Sequence, residues 1–215
     1  MPIQAVMFDL DGTLADTLDD LATAANHALT HVGRPTYPTD RYRTLVGRGL
    51  DRLMQDALGP SHQDLFAPAR EAFLAYYTLH RYDRTAPYPG IADLLDRLVQ
   101  ADLRLAVMSN KPDEATRDMV EKVFGRWSFD AARGHVAGYP VKPDPTAPLE
   151  IAEQLQIPAR DWAYVGDTDV DMFTGKAAGF FSVGVTWGFR DEAELQAAGA
   201  DAIIHQPAQL LPLLR

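Results

Sequence analysis

The chain has 215 residues, of which 47% are apolar and 23% are charged, and its formal net charge is -10. This length and composition are typical of a folded globular protein with a sizeable core, and they exclude a disordered chain. The negative charge disfavours nucleic acid and anionic membranes as partners, and the absence of cysteine excludes disulfides, thiolate catalysis and zinc–thiolate sites.

Short apolar runs predict the strands of the protein. The first, at residues 3–8, is typical of a central parallel strand that is buried on both faces. Similar runs predict strands at residues 103–108, 162–165, 180–185 and 202–204. Helical periodicity predicts helices at residues 91–99, 112–124, 145–154 and 172–178. Strands and helices that alternate at this spacing predict an α/β fold with a doubly wound parallel sheet.

Residues 16–86 break this alternation, because they contain no convincing strand. Apolar residues recur there at helical spacing in three segments, 18–29, 45–57 and 65–77. We therefore predict a small all-helical domain at residues 16–86, inserted after the first strand. Residues 1–15 and 87–215 would together form the α/β domain.

Polar segments flank the predicted strands at the edge where doubly wound sheets bind ligands. DLDGT (residues 9–13), SNK (109–111) and GDTDVD (166–171) each follow a strand, and VKPDP (141–145) lies on a rigid proline-flanked turn. Each segment alone could have a purely structural role, because Asp, Gly, Ser and Asn end strands and cap helices. Together they place carboxylates, a hydroxyl and an ammonium in one crevice, which indicates a functional site.

The chemistry of these groups is narrow. Carboxylates clustered without histidine or cysteine suit Mg²⁺, and with a hydroxyl and a lysine they suit phosphoryl transfer. We expect Asp9 to attack phosphorus and form an aspartyl-phosphate. Asp11 lies near enough for its neighbour's charge to keep it protonated, so it can act as general acid and then as base. Ser109 and nearby backbone N–H groups would hold the phosphoryl oxygens, and Lys142 would balance the negative charge.

The four segments resemble, in order and in spacing, the signature motifs of the haloacid dehalogenase superfamily, and the resemblance covers the whole chain. It implies that Asp9 is the nucleophile and Asp11 the acid/base. It also implies that Asp9, the main-chain carbonyl of Asp11, and Asp167 bind magnesium, with Asp171 supporting through water or Lys142. The helical insert is similar to the superfamily's cap, which closes over the site.

The resemblance also guides the choice of substrate. TLVGRGLDRL, APYPGI and SNKP are most similar to segments of phosphoglycolate phosphatases, which makes 2-phosphoglycolate the leading candidate. The motifs place Asn110 among the catalytic residues, and Gly12 and Thr13 among those that bind substrate. Arg48, between two glycines that permit close approach, could bind a substrate carboxylate in bidentate fashion. A surface arginine with no such role is an equal alternative.

Several other functions stay open. The nearest is a phosphomutase of the same superfamily, similar to β-phosphoglucomutase, or a phosphatase for another sugar phosphate or for pyrophosphate. A dehalogenase is disfavoured, because that family lacks an acid at the position of Asp11 and uses no metal. Outside enzymes, a receiver-like signalling module is disfavoured by the helical insert and by a DxDGT that follows the first strand. An inactive scaffold is disfavoured by the presence of all four motifs.

Partners and location follow from the same features. We expect a small phosphorylated metabolite as substrate, no nucleic acid or membrane partner, and either a monomer or a homodimer. No stretch approaches the about 20 apolar residues of a membrane span. The first residues, MPIQAVMFDLDG, lack the basic start and the apolar run of a secretory signal, so we expect a cytoplasmic protein.

Overall fold

The computed structural model describes residues 3–214. Within that range the strands are β1 (Ala5–Phe8), β2 (Ala15–Asp16), β3 (Ala86–Pro87), β4 (Arg104–Pro112), β5 (Ala131–His135), β6 (Trp162–Gly166), β7 (Phe181–Val185) and β8 (Ala202–Ile204). The α-helices are α1 (Leu18–His31), α2 (Thr39–Tyr42), α3 (Leu50–Leu58), α4 (Phe66–His80), α5 (Ile91–Gln100), α6 (Asp113–Phe124), α7 (Thr146–Gln154), α8 (Asp169–Ala178), α9 (Glu192–Ala197) and α10 (Leu210–Leu213). None of these helices combines the length and the apolar composition needed to cross a membrane.

Six strands form a parallel sheet in the order β5-β4-β1-β6-β7-β8, which places β1 at its centre. Successive residues of a strand point to opposite faces, so Val6 and Phe8 pack on one side with helices α5 and α6. Ala5 and Met7 pack on the other side with helices α7 and α8. A strand with both faces covered is apolar throughout, which explains the run that predicted it. The doubly wound α/β fold predicted from the sequence is confirmed.

The sequence prediction missed strand β5. Its sequence, AARGH, contains no apolar run, and only Gly134 is buried. The strand lies at the edge of the sheet and pairs with β4 alone, so it needs fewer apolar side chains than a central strand. Strand β4 is also longer than predicted, because it continues through Ser109 to Pro112 after an irregularity in its register with β5.

Helices α1 to α4 lie between β2 and β3 and share an apolar core, which also includes Phe189 from the α/β part of the chain. We call residues 18–80 the helical insert. The large buried side chains of this core include Leu21, Leu29, Tyr42, Leu53, Met54, Phe73 and Tyr77. Strands β2 and β3 pair antiparallel, with Ala15 opposite Pro87, so the chain enters and leaves the insert side by side. The division into domains at residues 16–86 stays a prediction.

Candidate active site

A crevice of about 170 Å³ separates the carboxyl ends of β1 and β4 from the helical insert. One side, which we call the core wall, is mainly polar and comprises Asp9, Asp11, Ser109, Asn110, Lys111, Pro112, Glu114 and Ala115. The opposite side, which we call the insert wall, is mainly apolar and comprises Leu21, Val46, Gly47, Gly49, Leu50, Leu53, Phe73, Leu74, Tyr77, Thr78 and Arg81. The crevice therefore presents most of its charged groups on one side and mainly hydrocarbon on the other.

Lys142 joins two of the predicted carboxylates. Its Nζ donates to Asp9 Oδ1 and to Asp171 Oδ1, each at 2.7 Å, and all three side chains are buried. Asn110 fixes the backbone of this lysine, because its Oδ1 accepts from the Lys142 N–H at 2.8 Å and its Nδ2 donates to the Lys142 carbonyl at 3.2 Å. The structure thus gives Asn110 a supporting position beside Lys142.

Asp167 completes the group of buried carboxylates. One carboxylate oxygen from each of Asp9, Asp167 and Asp171 lies within 4.8 Å of the others, and the side chain of Asp11 is not part of this group. The Thr13 hydroxyl donates to Asp167 Oδ1, and the Phe189 N–H donates to Asp167 Oδ2, both at 2.8 Å. Asp167 is therefore held in place by two hydrogen bonds, close to the other two carboxylates.

Gly12 and Thr13 lie next to Asp167. Neither residue lines the crevice; both lie behind Asp167. Gly12 has a φ of +91°, and a Cβ there would lie 2.3 Å from Asp167 Oδ2. The glycine therefore permits the turn and the close approach of the backbone to Asp167. In the structure these residues support a carboxylate, and their contact with a substrate stays a prediction.

The three buried carboxylates of this cluster outnumber the single lysine that is paired with them. Burial raises the pKa of Asp9 to about 7, since it outweighs the lowering by Lys142, and repulsion from Asp171 and Asp11 adds to the rise. Burial, followed by repulsion from Asp171 and Asp9, raises the pKa of Asp167 well above its ordinary value. Within residues 3–214, no cationic side chain is paired with Asp167. Three oxygen donors with one lysine between them fit a hard divalent cation.

Asp11 has a partner that was not predicted from the sequence. Lys111 Nζ donates to both carboxylate oxygens of Asp11 at 3.0 Å and to the hydroxyl of Tyr77 at 2.7 Å. Burial alone would lower the pKa of Lys111, but Asp11 and Tyr77 outweigh it and raise that pKa, so the ammonium is charged. Helical periodicity predicts that Tyr77 is buried, but nothing in the sequence indicates its contact with Lys111.

Ser109 and Asn110 hold the end of β4 in place. The Ser109 hydroxyl is buried, lines the crevice, and accepts from the Lys111 N–H at 3.2 Å. Asn110 also donates to the carbonyl of Gly47 at 3.1 Å, which connects the core wall to the helical insert. Ser109 thus lines the crevice together with Asp9, and its contact with a phosphoryl oxygen stays a prediction.

Arg48 lies outside the crevice. Its side chain is 52% exposed and contacts Asp169 at 3.3 Å, whereas its neighbours Gly47 and Gly49 line the crevice. A Cβ on Gly47 would lie 3.2 Å from Thr168, and one on Gly49 would lie 3.3 Å from the carbonyl of Asn110. The glycines therefore permit the insert backbone to approach the core motifs, and substrate binding by Arg48 stays a prediction.

A second arginine, Arg190, attaches the insert to the core. It is buried, donates to the main-chain carbonyls of Arg43 and Val46, and lies 3.8 Å from Asp169. Arg43 in turn donates to the carbonyl of Gly188 at 2.7 Å. Backbone carbonyls carry no signal in a sequence, so these contacts could not be predicted.

Comparison with known proteins gives a consistent result. The family model of haloacid dehalogenase-like hydrolases matches residues 6–185. A phosphoglycolate phosphatase of Vibrio parahaemolyticus is 32% identical over 219 residues, covering 99% of this chain and 96% of the relative. Another, of Chromobacterium violaceum, is 33% identical over 218 residues, covering 99% and 97%. The crystal structure of a protein of Lactobacillus delbrueckii subsp. bulgaricus, proposed to be a phosphoglycolate phosphatase, has a TM-score of 0.91 at 31% identity and covers 100% and 99%.

Proposed function

The chain belongs to the haloacid dehalogenase-like hydrolase family and is a phosphoric monoester hydrolase, and we propose that it hydrolyses a small phosphorylated metabolite through an aspartyl-phosphate on Asp9. The observation that carries this proposal is the position of Asp9 in the crevice, bonded to Lys142 at 2.7 Å and close to two further buried carboxylates. The names of the relatives support 2-phosphoglycolate as the first substrate to test.

In the first step, a carboxylate oxygen of Asp9 forms a bond to phosphorus while the bond from phosphorus to the ester oxygen breaks. Asp11, protonated once it has left Lys111, gives that proton to the departing oxygen. Ser109 donates its hydroxyl hydrogen to a phosphoryl oxygen. Lys142 balances the negative charge of Asp9 and of the phosphoryl group, and Asp171 holds the lysine in place.

In the second step, water attacks the phosphorus of the aspartyl-phosphate. Asp11, now a carboxylate, accepts a proton from this water, and the bond between phosphorus and Asp9 breaks. Inorganic phosphate is released, and both aspartates return to their starting states. The insert wall restricts the access of other water molecules, because its side chains are mainly apolar.

The buried carboxylates fit a divalent cation, and we propose that it is magnesium. Asp9, Asp167 and the main-chain carbonyl of Asp11 would hold the ion, and Asp171 would support it through water or Lys142. Magnesium supplies positive charge that offsets the charge of the phosphoryl oxygens. We also propose a cytoplasmic location, which the absence of cysteine and a metabolite substrate support. The choice between monomer and homodimer stays a prediction that light scattering would decide.

The test uses the purified full chain with magnesium and a panel of phosphate esters: 2-phosphoglycolate, p-nitrophenyl phosphate, glucose 1-phosphate, glucose 6-phosphate and pyrophosphate. We expect release of inorganic phosphate, with 2-phosphoglycolate the best substrate. Beryllium fluoride should inhibit and form its adduct on Asp9. Interconversion of the glucose phosphates without release of phosphate would instead identify a mutase, and no turnover of any ester would contradict the proposal.

A further inference from the structure

Lys111 is a charged group in the crevice that the mechanism proposed for Asp9 and Asp11 does not use. Its side chain is only 3% exposed, and it lies between the two walls, in contact with Asp11 on one side and Tyr77 on the other. Its ammonium also lies 4.9 Å from the centre of the Tyr77 ring. Burying a lysine costs free energy unless its charge and hydrogen bonds are matched. For Lys111 that match is supplied by Asp11 and Tyr77.

The hydrogen bonds of this ammonium are all accounted for. A lysine has three N–H donors, and the acceptors around Lys111 are the two Asp11 oxygens and the Tyr77 hydroxyl. An anion that binds here must replace one of them. Asp11 is the partner that can be replaced, because its carboxyl group must turn to the departing oxygen during the reaction. Tyr77 is fixed by its packing on Phe73, with ring centres 5.3 Å apart.

The other cations near the crevice are less suitable for a substrate anion. In the part of the chain that the structure describes, Arg81 is the other cation that lines the crevice, and its guanidinium already contacts Asp118 at 2.7 Å. Arg48 is directed to Asp169, outside the lining. Lys111 is thus the cation adjacent to the group that protonates the departing oxygen.

We propose that Lys111 recognises a second anionic group on the substrate, two or three bonds from the departing oxygen, and that this group replaces Asp11 on the ammonium. The inference rests on the proposed function. In 2-phosphoglycolate a single CH₂ separates the ester oxygen from the carboxylate, so both come to the same end of the crevice. A phosphate ester without such an anion leaves Asp11 paired with Lys111. The substrate class is therefore the phosphate esters of short hydroxy acids.

The experiment compares 2-phosphoglycolate with ethyl phosphate, which has a methyl group in place of the carboxylate. The quantity measured is the ratio of their kcat/KM values in the magnesium-loaded enzyme. In Lys111→Met we expect this ratio to fall about 10- to 100-fold, because the charge-assisted contact is lost for one substrate only. Lys111→Arg should keep most of the discrimination. The control is Lys176→Met, which removes an exposed lysine that is paired with Asp201, and it should leave the ratio unchanged.

Three results would overturn the inference. If Lys111→Met lowers kcat/KM by the same factor for both substrates, Lys111 acts only by positioning Asp11. If the ratio does not change, the substrate anion binds elsewhere. If the wild type releases phosphate but prefers ethyl phosphate, no anion is recognised. Absence of turnover on every ester, p-nitrophenyl phosphate included, would instead contradict the proposed function itself.

Should Lys111→Met fail to fold, Tyr77→Phe serves as a second variant. It keeps the charge of Lys111 but removes one of its hydrogen-bond acceptors, and it is expected to reduce the ratio of the two kcat/KM values by a smaller factor.

Discussion

The two walls of the crevice differ in their secondary structure and in the polarity of their side chains. The core wall consists of strand ends whose polar side chains are hydrogen-bonded to each other, as in the contacts of Lys142 with Asp9 and Asp171. The insert wall consists of helices whose apolar side chains continue into the core of the helical insert. Polar contacts of the insert wall with the core wall include the Tyr77 hydroxyl and the Gly47 carbonyl. The catalytic groups thus lie at the ends of the sheet strands, and the helices determine the shape of the crevice and exclude water from it.

This difference determines how substitutions should act. A group held at the end of a buried strand has little freedom to move, so its loss removes a step of the reaction. A group on the insert wall contributes to the fit of the substrate. Its loss should therefore change the preference among substrates more than the rate of the chemical step. Substitutions on both sides test this division, and the largest effect is expected at Asp9.

Asp9→Asn should lower kcat at least about 1000-fold, because an amide cannot attack phosphorus as a carboxylate does. The fold should be retained, since the side chain keeps its size and one negative charge leaves a crowded cluster. Phosphate release and thermal unfolding measure the two effects. Asp19→Asn, which changes an exposed aspartate of α1, is the control and should keep full activity. Substantial activity in Asp9→Asn would exclude the covalent mechanism.

Gly12→Ala should lower kcat about 100-fold, because a new Cβ 2.3 Å from Asp167 Oδ2 forces that carboxylate out of place. The matched control is Gly33→Ala, where φ is also positive, +70°, but no atom lies within 4 Å of the added Cβ. Both variants carry the cost of an unfavourable backbone, so their difference isolates the displacement of Asp167. Equal activity in the two variants would show that the exact position of Asp167 is unimportant.

Magnesium should stabilise the protein more at pH 8 than at pH 5.5. The pKa of Asp9 is raised to about 7 in the folded metal-free protein, so the folded state binds more protons than the unfolded state between about pH 4 and 7. Stability is therefore present at low pH and is lost as the pH rises through 7, where the carboxylates repel each other. With magnesium at about 100 times its Kd, we expect Tm to rise about 5–10 °C at pH 8 and less at pH 5.5, where protons compete.

The same scan with calcium tests the nature of the site, because calcium prefers more ligands and should stabilise without supporting turnover. Exhaustive chelation should abolish phosphate release, and added magnesium should restore it. Full activity after chelation, or a magnesium-induced rise in Tm that is largest at pH 5.5, would contradict a metal site made of these carboxylates.

Arg48→Ala should have the smallest effect, less than about threefold in kcat/KM on either 2-phosphoglycolate or ethyl phosphate. The arginine is half-exposed and its ion pair with Asp169 is of the kind that contributes about 0–1 kcal/mol. Paired measurements with Lys111→Met show which of the two cations discriminates between the substrates. A tenfold loss of kcat/KM confined to 2-phosphoglycolate would support the substrate contact that the sequence suggests for Arg48.

The sheet and the carboxylate cluster could be predicted because buried strands and strand ends leave local signals. A short apolar run such as residues 162–165, bounded by polar residues, is typical of a strand covered on both faces. The aspartates that follow β1 and β6 meet because parallel strands end at one edge. Strand β5 could not be predicted, because an edge strand with a single buried residue lacks an apolar run.

The contacts across the crevice could not be predicted, for a different reason. The period of α4 predicts that Tyr77 is buried, but not that its hydroxyl meets Lys111, which is 34 residues away in sequence. The glycines around Arg48 do indicate a close approach, but the sequence does not identify the two groups that approach each other. In the structure it is the backbone of Gly47 and Gly49, and the arginine side chain points to Asp169.

The short ribbon of β2 and β3 also bears on how the chain folds. Strand β1 must find β4 across about 95 intervening residues, but the bond from the Tyr88 N–H to the Leu14 carbonyl, at 3.0 Å, brings the two ends of the insert together. Once the insert has closed on itself, the effective loop between β1 and β4 shrinks to about 20 residues. The entropy of loop closure then costs about 1 kcal/mol less. The insert thus shortens the search for the central strand pair, and its early formation should speed assembly of the sheet.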